Sequence, residues 1–340
     1  MTATDQVRYQ PHGPLRRIIL NRPHAINALT ADMVESIDRA LREWVDDDSV
    51  TGVTIEGAGD KGLCAGGDVV AVRRAVLDGE DFRRFFRSEY AMNSLIDSYP
   101  KPLAVLQDGL VLGGGVGVSA HAGLRVVTPR TRMSMPETNI GFFPDVGALF
   151  LLSRAPGETG TYAAMSGATM SGADAIHLGL ADGMIPQDAW PQLLERLATD
   201  PAYHVSMPAQ DHLTVPPELS DLAVQQREWI DECFAGDDAA VIVERLRSHP
   251  SPRARAAAER IGQRSALSAC VSLEAIRRAA SMETVDDVLE QDLRLASAMP
   301  CHPDFGEGVR ALLVDKDHAP RWAYPSVADV PREVVLALFA

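Results

Sequence analysis

Short apolar runs bounded by turn residues alternate with longer stretches in which apolar residues recur every three to four positions. The first run, Leu15 to Leu20, predicts a strand that ends at Asn21-Arg22-Pro23. Thr30 then stands as the cap of a helix through Val45, with Met33, Ile37, Leu41 and Val45 on one face. Gly52 to Glu56, Pro102 to Gln107 and Leu124 to Val127 predict three more strands. A glycine-rich turn, Gly57 to Gly67, leads into a helix from Asp68, and helical patterning continues to Asp97. A second turn, Gly113 to Gly117, opens a short helix through His121. Strand, glycine turn and helix in recurrence argue an α/β domain whose ligand lies where the turns feed helix N-termini. The spacing is too irregular for a solenoid of fixed short period.

The pattern changes near residue 200. Pro201, Pro208, Pro216 and Pro217 interrupt a polar stretch without periodicity. Beyond it only helical patterns follow: Leu222 to Phe234, Ala239 to Ser248, Ser251 to Gly262, Ser265 to Ala280 and Val285 to Ala298. The expected organisation is a core domain over 1–200 and a helical region over 201–340.

Composition narrows the function classes. The 340 residues are 46% apolar and 23% charged, ordinary for a packed globular protein. Acidic residues outnumber basic ones 47 to 32, for a net charge of −15. That field repels nucleic acid and anionic lipid, so neither is an expected partner. Cys64, Cys233, Cys270 and Cys301 form no C-x-x-C pair, and they suggest reduced thiols rather than disulfides or a zinc site. No apolar run approaches the about 18 residues of a membrane span. Met1 to Gln10 lacks the apolar core of a secretory signal. These features give a cytoplasmic localisation as the expectation.

Two glycine turns carry candidate chemistry: Cys64-Ala65-Gly66-Gly67-Asp68 and Gly113-Gly114-Gly115-Val116-Gly117. Glycine permits close approach to a ligand, and a helix N-terminus offers unpaired N–H groups. Two facing turns of this kind suit an oxyanion hole at a carbonyl oxygen. The competing reading is that these glycines only permit close helix–strand packing. Asp68 stands where a helix cap would stand. Gly115-x-Gly117-x-x-Ala120 matches a dinucleotide fingerprint, but it lies far from a first βαβ unit, and the strand is expected to end well before Gly115. Ser119 lacks the last glycine of a nucleophile elbow, because His121 stands there.

Two acidic residues, Glu137 and Asp145, lie among Met, Ile, Phe, Pro and Val in the stretch from Met133 to Gly147. Apolar surroundings raise a carboxyl pKa and make it a usable acid or base near neutrality. The bland alternative is a capped turn with solvated acids. His121 and His302 are further bases by type, although no spacing supports a metal site.

These residues resemble the enoyl-CoA hydratase/isomerase (crotonase) superfamily. The resemblance rests on Arg22-Pro23 with Asn27-Ala28-Leu29, the Cys64 to Asp68 turn, Lys101-Pro102, the Gly113 to Gly115 turn, Pro136-Glu137, Phe143-Pro144-Asp145-Val146-Gly147, and Asp304 to Arg310 with Asp315-Lys316-Asp317. It implies a crotonase-like spiral of repeated ββα units with a helical C-terminal region. It implies an acyl-CoA substrate and no cofactor beyond that coenzyme A, and it allows a homo-oligomer. By the same resemblance, the N–H groups of Gly67 and Gly114 form the oxyanion hole, Glu137 is the main catalytic carboxylate, and Asp145 assists it. Glu89, Gly66, Asp68, Arg22, Ala25 and Lys316 are the expected substrate contacts. Lys61 is a further cation for the coenzyme A phosphates, which an acidic protein must meet locally.

One departure bears on the reaction. Hydratases of this family carry a second glutamate shortly after the triple glycine, where this chain has Gly117. With Asp145 at a position usually small in hydratases, the pattern favours a hydrolase, and the resemblance implies a short-chain 3-hydroxyacyl-CoA thioester as substrate, 3-hydroxyisobutyryl-CoA first, as in valine degradation. Two rivals stand beside it: a hydratase or isomerase using Glu137 alone, and a non-catalytic acyl-CoA-binding protein.

Overall fold

The computed structural model describes residues 6–200 and 217–340. The polar stretch with Pro201, Pro208 and Pro216, where the expected domain boundary falls, lies outside the described residues. The described chain is a mixed α/β protein with two sheets.

The strands are β1 (Val7–His12), β2 (Leu15–Leu20), β3 (Gly52–Gly57), β4 (Gly62–Cys64), β5 (Leu103–Gln107), β6 (Leu110–Leu112), β7 (Leu124–Val127), β8 (Arg132–Ser134), β9 (Met170–Ser171) and β10 (Gly183–Met184). The first sheet has the order β1-β2-β3-β5-β7-β10, antiparallel at β1–β2 and parallel from β2 onward. The second has the order β4-β6-β8-β9. Successive pairs β3–β4, β5–β6 and β7–β8 thus give one strand to each sheet before the chain leaves as a helix or turn, the repeated ββα pattern. Strand β3 shows why it pairs on both sides: Gly52, Val53, Thr54 and Ile55 are all buried, as a central parallel strand requires.

Contacts divide the chain into two compact units. The first comprises 1–67, 88–133 and 170–220; the second comprises 68–87, 134–169 and 221–340. The second unit therefore gathers two segments from the first two hundred residues with the C-terminal helices. In the first unit, Leu15, Leu106, Leu124, Val126, Trp190 and Leu194 form a continuous apolar cluster. The helix Ala31–Val45 is capped by the Thr30 hydroxyl on Met33 N–H and buries Met33, Ile37 and Leu41. Val45 is only half-buried at its end. In the second unit, Phe142 stacks on Phe86 at 5.4 Å and meets Phe143 and Phe305.

One expectation is corrected. Leu222 to Phe234 is not one helix, because it breaks at Gln225–Gln226 into Asp221–Val224 and Arg227–Phe234. The short strands β4, β6, β8 and β9 and the strand β1 leave no alternation long enough to be read from sequence. The helices Ala239–Ser248 and Val285–Ala298 stand as their periodicity predicts.

Candidate active site

One candidate site is backbone, and it lies in the first unit. Strand β4 ends at Cys64 and the chain turns through Ala65-Gly66-Gly67. Residues 26–29 strap this turn: Ala65 N–H donates to the Ile26 carbonyl (2.9 Å) and Leu29 N–H to the Gly66 carbonyl (2.8 Å). Buried Asn27 fixes the strap, accepting from Arg22 N–H (2.9 Å) and donating to the carbonyls of Ala58 (3.0 Å) and Gly62 (3.1 Å). Gly66 has φ +108°, a conformation that L side chains rarely adopt.

The second glycine turn comes back beside the first. Strand β6 ends at Leu112, and Gly113 precedes the helix Gly114–Ala120. A Cβ on Gly114 would lie 2.5 Å from Glu89 Oε1 and 3.1 Å from the Gly67 nitrogen. Gly114 is thus the place where both turns and a carboxylate only 2% exposed converge. In these turns the N–H groups of Leu29, Ala65, Val116 and Gly117 donate to backbone carbonyls, and Gly66 N–H donates to Cys64 Sγ (3.4 Å). Gly115 realises the packing alternative, since a Cβ there would lie 2.5 Å from the Cys64 carbonyl oxygen.

The strand before this turn does not end well before Gly115, as expected; β6 runs to Leu112. Its three residues are too few to signal themselves. What separates the turn from a dinucleotide site is its place after the third strand pair rather than the first. Ser119 is structural: its buried hydroxyl donates to the Gly115 carbonyl (2.7 Å) and meets Gln107 Nε2 (3.0 Å). Burial pushes the Cys64 thiol up to about 12, with Glu89 adding to the effect and Arg22 opposing it. Cys64 is therefore a packed thiol rather than a nucleophile.

Of the expected phosphate cations in this unit, Arg22 is half-buried and its Nη1 donates to the Ala28 carbonyl (2.5 Å). Lys61 is exposed. Ala25 ends the short turn Pro23–Ala25, its N–H bonded to the Arg22 carbonyl (2.9 Å).

The candidate carboxylates Glu137 and Asp145 lie in the second unit. Glu137 opens the 3-10 turn Glu137–Ile140 and is 7% exposed. Its carbonyl accepts from Phe142 N–H (3.1 Å), and the next carbonyl, of Thr138, accepts from Ser265 N–H (3.2 Å). The helix Pro303–Val309 is pressed onto this turn: a Cβ on Gly141 would run into the Asp304 carbonyl carbon, and one on Gly308 would meet Ile140 backbone at 2.6 Å. Asp304, 1% exposed, locks the contact by accepting from Ser265 Oγ (2.6 Å) and Ala323 N–H (2.8 Å). The motif from Asp304 to Arg310 therefore acts as a buttress for the Glu137 turn.

Asp145, 5% exposed, starts a strained turn in which β-branched Val146 has φ +56° and Gly147 φ +72°. Gly147 N–H donates to Oδ2 of Asp292 (2.8 Å), on the helix Val285–Ala298. Asp292 is fully buried; burial first, and then the charge of Asp145, hold its carboxyl well above the usual carboxylate range, while Gly147 N–H pulls the other way. Sequence reasoning missed Asp292. A signal existed, because Asp292 occupies the apolar face formed by Val285, Val288, Leu289, Leu295 and Ala296.

Asp68 caps the helix Val69–Asp78 through Ala71 N–H (3.2 Å). His302 caps Pro303–Val309 and stacks on Tyr324, which uses it structurally. Lys316 is exposed, with φ +58°, just beyond the π-helical turn Arg310–Val314. No group of three or more metal-ligating side chains occurs among the described residues.

A family model described as enoyl-CoA hydratase/isomerase matches residues 15–339. The chain is 35% identical to a mitochondrial 3-hydroxyisobutyryl-CoA hydrolase of Danio rerio over 347 residues, covering 99% of this chain and 90% of that one. It is 36% identical to the protein of that name from Rattus norvegicus, covering 99% and 89%. Among solved structures, a carnitinyl-CoA dehydratase from Mycobacterium thermoresistibile superposes with a TM-score of 0.92 at 45% identity, covering 99% and 96%. An enoyl-CoA hydratase from Rhodobacter sphaeroides gives 0.91 at 37%, covering 98% and 97%. The cytoplasmic expectation is corrected here, because the curated relatives carry mitochondrial names. Charge and hydropathy describe solubility, and they carry no compartment address.

Proposed function

The chain belongs to the enoyl-CoA hydratase/isomerase family, and from that premise we propose that it hydrolyses a short-chain 3-hydroxyacyl-CoA thioester, 3-hydroxyisobutyryl-CoA, to the free acid and coenzyme A. The observation that carries the reading is the convergence of Gly67, Gly114 and Glu89 at one point, joined to the names of the relatives matched over nearly the whole chain.

In this reading the Gly67 and Gly114 N–H groups receive the thioester oxygen. They hold the charge that grows on it as water attacks, and one such donor is worth about 2.7–4 kcal/mol of barrier. Glu137 takes a proton from the attacking water and returns it to the departing sulfur, so that acid and thiol leave balanced. A covalent route, with Glu137 forming and then losing an anhydride, is the alternative. Asp145 and Glu89 hold the hydroxyacyl group. Gly66 gives the acyl carbonyl its clearance, and Asp68 keeps its helix start in place. Arg22, Ala25 and Lys316 contact the coenzyme A. No cofactor is needed beyond the coenzyme A of the substrate.

A second reading is favoured by the names of the two structural neighbours, a dehydratase and a hydratase. The test is product analysis with 3-hydroxyisobutyryl-CoA as the only substrate. Free thiol and 3-hydroxyisobutyrate support hydrolysis. A conjugated enoyl-CoA with no thiol supports dehydration. Tight binding with neither product supports a non-catalytic role.

A further inference from the structure

In the second unit, Arg264 stands out among the basic side chains. Its Nε is buried without a hydrogen-bond partner among the described residues. Burial first, and then the like charge of Arg260, push its guanidinium below the ordinary arginine value. Asp315 and Asp317, which precede the pocket residue His318, each accept from Arg310 Nη1 at 2.7 Å. Arg260 itself donates to the Tyr162 hydroxyl (3.1 Å). A half-buried guanidinium with an unpartnered Nε and a like charge acting on it costs stability unless an anion completes it.

Arg264 does not face a packed wall. It lines a pocket of about 480 Å³ together with Asn139, His318, Pro320 and Trp322. Trp322 is half-buried and its Nε1 is tied to the Gln263 carbonyl (3.2 Å), which leaves an indole surface at the rim. Asn139 Oδ1 is buried without a hydrogen-bond partner among the described residues, so its amide edge is uncommitted. His318 is held at φ +54°. Cation, amide, imidazole and indole around one cavity are the elements that take a phosphate carried on a planar base.

We infer that this pocket is an anion site that binds a phosphate-bearing ligand of the nucleotide class, with Arg264 pairing the phosphate and Trp322 stacking the base. The chemistry has two sources: the nucleotide head of coenzyme A, or a free nucleotide acting as an effector. The inference concerns binding only, and with coenzyme A as the source it rests on the acyl-CoA reading.

The experiment is calorimetric titration of the full chain with adenosine 3′,5′-bisphosphate, beside thermal melts with inorganic pyrophosphate and with sodium chloride at matched ionic strength. The parent protein should bind the bisphosphate and melt higher in pyrophosphate than in chloride. Arg264→Gln should weaken binding by at least about tenfold, as loss of a charge-assisted pair does. Its melt without anions should equal or exceed that of the parent, since an uncompensated buried charge is gone. Trp322→Leu should weaken the bisphosphate more than pyrophosphate. Competition with coenzyme A identifies the substrate head as the source, and simultaneous binding identifies a separate nucleotide. No binding by the parent overturns the inference. So does an Arg264→Gln protein that binds normally, or one that is strongly destabilised without anions, which makes Arg264 structural.

Discussion

Asp292 and Gly147 are joined by a hydrogen bond of 2.8 Å that pins the left-handed turn next to Asp145 to a buried acid on the helix Val285–Ala298. Burial first, and then the charge of Asp145, hold the Asp292 carboxyl well above the usual carboxylate range. A raised folded value contributes stability that is present below the ordinary carboxylate range and lost as pH rises through that folded value. Asp292→Asn keeps the acceptor without the ionisation. It should melt at or above the parent temperature at neutral pH, with the difference shrinking in acid. Asp292→Ala should lose about 1–3 kcal/mol, because Gly147 N–H is left buried and unpaired. Paired melts across pH check this, and equal loss in both variants would contradict it.

Gly114→Ala and Gly115→Ala should fail in different ways. The methyl on Gly114 meets a side-chain carboxylate, Glu89, and the Gly67 amide, whereas that on Gly115 meets Cys64 backbone. Gly114→Ala should fold, since alanine favours a helix, and lose about 10²–10³ in kcat through the displaced donor. Gly115→Ala should lose soluble protein or several degrees of melting temperature. Circular dichroism beside thiol-release kinetics separates the two.

Cys64 should be silent to alkylation. Its thiol, raised to about 12, stays protonated at neutral pH, and it is fully buried. Cys301 is exposed. Iodoacetamide followed by peptide mass spectrometry should label Cys301 first and leave both Cys64 and the activity intact.

Glu307 sets an acid limb. Hydrogen bonds from Arg310 hold its carboxyl at about 2 rather than 4.5. A depressed value contributes stability that is present above the ordinary range and lost as pH falls through the folded one. Urea midpoints should therefore drop between pH about 5 and about 2, and Glu307→Gln should flatten that drop. An unchanged slope would remove Glu307 from the account.

What could be read from sequence divides along physical lines. Helices with long periodic faces, such as Ala239–Ser248 and Val285–Ala298, show in the pattern because each buries one stripe. Strands of two or three residues, such as β6 and β9, carry no period and were invisible. The glycine turns and the Glu137 and Asp145 stretches were legible as residue types in unusual surroundings. The buttress from Asp304 to Ser265 and the pin from Asp292 to Gly147 join residues 39 and 145 positions apart. Only three-dimensional contact reveals such pairs. Asp292 shows the limit: its place on an apolar face was visible, but its partner was not.

The central claim is that Glu137 drives thioester hydrolysis, and the direct measurement is free-thiol release from 3-hydroxyisobutyryl-CoA by the parent chain and by Glu137→Gln. The account predicts release by the parent and a fall of at least about a hundredfold in kcat for the variant, the size expected of a lost general base, with the melting temperature held. Equal thiol release by the two proteins would contradict it.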